Sequence, residues 1–273
     1  MPTPIPTPNA IVTQRIDTAP GLMTLRVAPV GWALPAFVPG QFAVLALPAS
    51  APRSAHSEPE DPPLPPETFL RRAYSVASSS RDHEYLEFYL VEVRGGALTP
   101  RLFALKPGDK LWLGPKFTGL FTLDEVPADR HVVFLATGTG LAPYMSMLRT
   151  HLARDAGRRF AVIHGARNSW DLGYRDELTQ MQRLAPSLLY LPVLTRPQAE
   201  LAPWTGAVGR LPAFWADGAL ARAWGFRPSP ADTHIFLCGN PGMLEAMQRQ
   251  LEAEGFREHT KKVPGEIHVE KYW

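Results

Sequence analysis

Apolar positions change their period about halfway along the chain. Up to about residue 125 they come in short runs cut by Pro and Gly. Ala10–Ile16, Met23–Ala28, Gln41–Leu47, Glu84–Val93 and Lys110–Leu113 are β-rich or alternating. In the clearest run, Leu86, Phe88, Leu90 and Glu92 fall on one side of an extended segment, and Tyr85, Glu87, Tyr89, Val91 and Val93 on the other. Many short strands without a strong helical run predict a small antiparallel barrel.

The second half alternates. Strand-like runs at His131–Ala136, Phe160–His164, Leu188–Leu194 and His234–Cys238 are each followed by a helical stretch, at Pro143–Asp155, Asp176–Leu184, Leu211–Trp224 and Gly242–Glu254. That order predicts a parallel sheet covered on both faces. The chain is therefore expected to hold two domains: an N-terminal antiparallel β-barrel over 8–125 and a C-terminal α/β parallel sheet over 130–273. The boundary falls in the polar segment Asp124–Arg130. Residues 48–68 are rich in Pro, Ser and Glu, and read as a mobile surface insertion within the barrel, because strand-like sequence resumes after them.

Composition narrows the chemistry. The 273 residues are 45% hydrophobic and 20% charged, with a net charge of +2, which suits a soluble globular protein and not a dedicated nucleic-acid binder. One cysteine, Cys238, cannot make an internal disulfide, a zinc site or an iron–sulfur cluster, and no metal is expected. The first residues lack the basic region and apolar core of a signal peptide, and no apolar run reaches the length of a membrane span, so the expected compartment is cytoplasmic.

Several short motifs carry candidate chemistry. In Arg71-Arg72-Ala73-Tyr74-Ser75-Val76, an Arg fork suits phosphate oxygens, and on a strand the Tyr two residues later projects from the same face. Gly95-Gly96-Ala97-Leu98-Thr99 lets backbone amides approach an anion; a plain hairpin turn is the other reading. Thr137-Gly138-Thr139-Gly140-Leu141-Ala142-Pro143 ends a strand and opens a helix, where amides and dipole favour a diphosphate. Arg167, Arg196 and Arg210 sit at or after later strands, where a ribose 2′-phosphate would lie. Cys238-Gly239-Asn240-Pro241 ends another strand, and the chain closes on Glu270-Lys271-Tyr272-Trp273. Aromatic rings at a chain end suggest a cover for something flat, or a hydrophobic tail in a groove.

Taken in order, R-x-Y-S, G-x-L-T, G-T-G-L-A-P, T-R, G-R-L-P, C-G-N-P and E-x-Y-W resemble the ferredoxin/flavodoxin–NADP⁺ reductase family, in particular its bacterial branch ending in Tyr-Trp. The resemblance spans about residues 10–273. It implies an FAD-binding barrel and an NADP-binding α/β domain. It places Arg72 on the FAD diphosphate, Tyr74 on the isoalloxazine and Ser75 near flavin N5, within a contact stretch that includes Ala73 and Val76. Gly96, Leu98 and Thr99 would hold the FAD phosphates. Thr137, Gly138, Thr139 and Gly140 would meet the nicotinamide nucleotide, and Arg167, Arg196 and Arg210 its 2′-phosphate, with Tyr174 beside the adenine. Cys238 and Glu270 would flank the nicotinamide, Tyr272 would stack over the flavin, and Trp273 would reach the FAD adenine. Ser75, Cys238, Glu270 and Tyr272 are thus the catalytic candidates.

The implied activity is electron transfer between NADPH and ferredoxin or flavodoxin by a monomeric flavoenzyme. Two alternatives stay open: an NADH-dependent reductase component of an oxygenase, and a flavin-binding regulatory module without turnover. An acidic carrier would call for a basic patch from Arg71, Lys106, Lys110, Lys116, Lys261 and Lys262; solvated charges spread over the surface are the other reading. Because Tyr272 would occupy the nicotinamide position, Tyr272→Ser is expected to weaken discrimination against NADH. Steady-state kinetics with an unchanged NADPH/NADH preference would sink that reading.

Overall fold

A computed structural model describes residues 5–154 and 157–271. The chain divides into two units. The first runs to Thr122 and takes in Met145–Thr150; the second is Leu123–Tyr144 and everything from His151.

The first unit is built on six strands: β1 (Ala10–Ala19), β2 (Leu22–Pro29), β3 (Phe42–Pro48), β4 (Phe69–Ser75), β5 (Leu86–Val91) and β6 (Lys110–Leu113). They pair antiparallel in the order β4-β3-β6-β1-β2-β5. An antiparallel bridge between Val76 and Phe88 joins the two outer strands and closes the sheet on itself. Leu86, Phe88 and Leu90 of β5 fill the interior with Leu25, Leu45, Leu111 and Leu113, as their alternation predicts. Full closure leaves the first and last strands no long open edge.

The opposite side of β5 is covered too. Glu87 is 3% exposed, and its carboxylate accepts from Arg26 Nε at 2.8 Å and Arg149 Nη1 at 2.8 Å. Arg149 also donates to the Ala77 carbonyl at 2.8 Å. A buried carboxylate is tolerated only when its charge and lone pairs are answered, and two guanidinium groups answer it here.

Two features of this unit depart from the expectation. Thr99–Ala104 forms a short helix, α1, whose Leu102 enters the barrel core. Six residues are too few to show a helical period. Residues 48–68 are not a mobile insertion but a pinned one. Arg101 of α1 is 3% exposed and grips the insertion's Glu60 carboxylate through both terminal nitrogens, at 2.7 and 2.9 Å, while its Nε donates to the Ala49 carbonyl at 3.1 Å. The low apolar content hid this, because the segment is held by charge-assisted hydrogen bonds and not by a core of its own.

The second unit carries β7 (His131–Thr137), α2 (Ala142–His151, shared with the first unit), β8 (Phe160–Ala166), α3 (Arg175–Leu184), β9 (Leu188–Leu194), β10 (Ala207–Val208), α4 (Leu211–Ala216), α5 (Ala219–Trp224), β11 (Thr233–Cys238), α6 (Pro241–Ala253) and β12 (Ile267–Glu270). Every strand pair is parallel, in the order β10-β9-β8-β7-β11-β12. Val133, Leu135, Ala161, Ile163, Ile235 and Leu237 face α4, α5 and α6. On the other face Phe134 stacks on Tyr144 of α2 at 4.5 Å. The single helix expected over Leu211–Trp224 is two, α4 and α5, because Gly218 takes a left-handed conformation with φ of 72° between them. The two-residue β10 and the late strand β12 have no counterpart in the expectation.

Glu87→Gln should lower the unfolding free energy by about 2 kcal/mol, less than the ~3–5 kcal/mol typical of breaking a fully buried pair, because Arg26 and Arg149 both reach solvent. Urea denaturation with an unchanged midpoint would show that Glu87 adds no stability.

Candidate nucleotide and flavin sites

Strand order reverses between β7 and β11: from β7 the chain proceeds through β8 and β9 to β10 on one side, then returns to place β11 on the other. Such a reversal leaves a crevice beyond the carboxyl ends of the two central strands, where open α/β sheets bind ligands. Here the two strand tips touch at backbone distance. A Cβ on Gly140 would lie 2.3 Å from the Cys238 carbonyl oxygen, and one on Gly239 would lie 2.3 Å from Thr137 Oγ1. Thr137 Oγ1 accepts from the Asn240 amide at 2.8 Å, tying the turn after β11 to the end of β7. Gly138–Leu141 makes one 3₁₀ turn that runs into α2. Gly138 itself has φ of 56° with open space beside it. Asn240 caps α6, accepting from the Gly242 amide at 2.9 Å.

Glu270 reaches this edge through β12. Register pairs Cys238 with Glu270 across β11 and β12, and Cys238 Sγ lies 3.9 Å from Glu270 Oε2. Fully buried Tyr144 donates to the Leu135 carbonyl at 3.1 Å. Burial pushes its phenol well above the ordinary tyrosine range, and the nearby Cys238 and Glu270 push the same way, so Tyr144 keeps its proton.

Arg167, Arg196 and Arg210 follow the ends of three adjacent parallel strands. Ala166 pairs with Leu194, and Leu194 with Val208, so the arginines come one or two residues beyond a common level. The Arg196 amide donates to the Arg167 carbonyl at 2.9 Å, and Asn168 Nδ2 to the Arg196 carbonyl at 3.1 Å, which fixes the two turns together. All three side chains are exposed. Arg167 has Asp171 at 3.6 Å; Arg196 and Arg210 have no carboxylate partner among the described residues. Tyr174, just before α3, is the one described non-glycine residue with positive φ, at 58°. Such a backbone costs ~1–3 kcal/mol and concentrates at functional positions.

In the first unit, β4 puts Arg72 and Tyr74 on one face, opposite Leu45 and Ala43 of β3. Arg72 is exposed, and no carboxylate pairs with it among the described residues. Tyr74 is half-buried against the barrel core, and burial raises its phenol strongly. Ala73 is exposed, while Ser75 and Val76 are buried. Beyond β5, the amides of Gly95, Ala97, Leu98 and Thr99 make no hydrogen bond within the described residues. Thr99 Oγ1 is engaged with Val93, accepting from its amide at 3.0 Å and donating to its carbonyl at 3.2 Å. In this loop the backbone, more than the hydroxyl, is free for an anion. Tyr272 and Trp273 lie outside the described residues.

Comparison with known proteins shows the family. The family described as "Oxidoreductase NAD-binding domain" matches residues 134–249. A flavodoxin/ferredoxin–NADP reductase of Escherichia coli is 34% identical over 205 residues, covering 75% of this chain and 81% of that one. The chain belongs to the flavodoxin/ferredoxin–NADP reductase family. A ferredoxin NADP⁺ reductase from Neisseria gonorrhoeae, solved with FAD and NADP bound, shares the fold with a TM-score of 0.81 and 24% identity, covering 97% of this chain and 98% of that one. A cytochrome P450 reductase from Amycolatopsis matches with a TM-score of 0.74 and 26% identity over 97% of this chain and 69% of that one.

As a flavodoxin/ferredoxin–NADP reductase, the chain is an FAD- and NADP-dependent oxidoreductase. Its residues fit both groups: an exposed Arg72 with no carboxylate partner among the described residues, a half-buried Tyr74 ring and loop amides without a hydrogen bond among those residues on the barrel, and an arginine row and a glycine-lined crevice on the parallel sheet. Sequence reasoning did not single out Tyr144, buried beside Cys238 and Glu270, or the capping role of Asn240, although it quoted the Asn-Pro motif that carries that role. Arg71, Lys106, Lys110 and Lys116 are exposed on the first unit, and Lys261 and Lys262 on the second. No described helix is long and apolar enough to cross a membrane.

Gly140→Ala should cost about 2–3 kcal/mol, because the clash is with backbone and no rotamer relieves it. Gly138→Ala should cost about 1–2 kcal/mol, from its left-handed conformation alone. The reverse order in urea unfolding would refute tight contact at the strand tips.

Proposed function

We propose that this enzyme moves electrons between NADPH and ferredoxin or flavodoxin. Bound FAD supplies the conversion, accepting a hydride at N5 and passing electrons on singly. The observation that carries the choice of NADPH is the arginine row at the ends of β8, β9 and β10. Three cations, two of them without an acidic partner among the described residues, answer a dianionic 2′-phosphate.

The other residues hold and orient. Arg72 and the amides around Gly96, Leu98 and Thr99 bind the FAD diphosphate. Tyr74 packs on the isoalloxazine, and the Ser75 hydroxyl lies near N5. Thr137 to Gly140 line the nicotinamide nucleotide's crevice, and Tyr174 neighbours its adenine. Cys238 and Glu270 flank the nicotinamide. None acts as a covalent nucleophile.

An NADH-dependent component that feeds an oxygenase is the competing reading, since a cytochrome P450 reductase shares this fold. The purified protein should show a flavin spectrum that NADPH bleaches under anaerobic conditions far faster than NADH. Bleaching by NADH alone supports the competing reading, and a bound flavin that neither nucleotide reduces supports a regulatory module. Arg196→Ala should raise KM for NADPH about 10-fold or more, the value of one lost charge-assisted hydrogen bond, and leave KM for NADH unchanged.

A further inference from the structure

The segment 48–68 is fastened to one place. Arg53 Nη2 donates to the Arg94 carbonyl at 3.2 Å, and Arg53 Nη1 to the Gly96 carbonyl at 3.1 Å. The Glu58 amide reaches the same Arg94 carbonyl at 3.0 Å. Arg101 Nη1 donates to the Ala97 carbonyl of the same loop at 2.6 Å. Glu60 bridges the two guanidinium groups, accepting from Arg53 at 2.8 Å and from Arg101 at 2.7 Å. The hydrogen bond from Arg101 is the main favourable cause that holds the Glu60 carboxyl below the ordinary glutamate range, against the opposing effect of burial.

These contacts have a directional consequence. In a planar trans peptide the carbonyl and the following N–H point opposite ways. With the carbonyls of Arg94, Gly96 and Ala97 drawn toward Arg53 and Arg101, the amides of Gly95, Ala97 and Leu98 must point away from them. Those are amides left without a hydrogen bond among the described residues. The Glu58 carboxylate lies beside Gly95, where a Cβ would come within 2.8 Å of its Oε2.

We infer that residues 48–68 are a brace that presets the Gly95–Leu98 amides for the FAD phosphates, with Arg53 as the positioning residue. This rests on the FAD reading above. Preorganised donors bind an anion without first having to be ordered, so loosening them lowers affinity while the donors themselves remain.

The test is FAD affinity of the full chain, measured by quenching of flavin fluorescence on titration into apoprotein. Arg53→Met should weaken FAD binding by fivefold or more. Arg53→Lys, which keeps the charge but cannot span both carbonyls, should fall between Arg53→Met and the parent. The near-UV circular dichroism of all three apoproteins should be the same. A change in Kd below fivefold for Arg53→Met overturns the brace, as does an Arg53→Lys variant no better than Arg53→Met. So does a loss of near-UV signal, because Arg53 would then be holding the barrel and not the loop. Failure of the parent chain to bind FAD would instead overturn the reading on which the brace rests.

Discussion

The contact between the tips of β7 and β11 governs the nucleotide-binding unit. Gly140 and Gly239 bring backbone against backbone at distances that admit no side chain, and Thr137 ties the seam through the Asn240 amide. This contact sits where strand order reverses, so it shapes the crevice floor. Once β11 is set against β7, β12 is set against β11, and Glu270 arrives beside Cys238 by register alone. Three segments far apart in sequence therefore meet through strand register and one short side chain, that of Thr137.

The barrel unit follows a different economy. It buries Glu87 between Arg26 and Arg149, and Arg101 against Glu60, at places where an apolar contact would have been simpler. A buried ion pair is a weak source of stability, yet it is directional, and breaking one partner is costly. Direction is what a loop needs if its amides are to face a ligand. The Arg101–Glu60 pair lies between the pinned segment and the loop after β5, so its charges fix orientation as well as position.

Much of the fold was legible from periodicity. Leu86, Phe88 and Leu90 alternate and are the barrel interior; the strand–helix alternation beyond His131 is the parallel sheet. What escaped has physical reasons. Helix α1 and strand β10 are too short to carry a period. The split at Gly218 depends on a single φ value. The segment 48–68 reads as disorder by composition, because its order comes from a few guanidinium contacts with residues more than thirty positions away. The site was half legible. Short motifs named its residues, but Arg167, Arg196 and Arg210 are irregularly spaced along the chain, and only the register of β8, β9 and β10 shows that they form a row.

That row, with Glu270, also sets how the sheet distributes charge in the proposed reaction. Positive charge lies beyond β8, β9 and β10, and a carboxylate ends β12 on the far side of β7 and β11. A nicotinamide nucleotide has the matching polarity: a dianionic phosphate at one end, and at the other a ring that gains positive charge as hydride leaves. Interactions stronger in the transition state than in the ground state are the ones that accelerate a step. In the proposed reaction the arginines would meet a charge already present, and so select the nucleotide. Glu270 would meet a charge that only develops during transfer, and so act on rate. Tyr144 must stay neutral for this to work, because a phenolate near Cys238 and Glu270 would crowd the same region with a further negative charge. Its complete burial keeps it protonated.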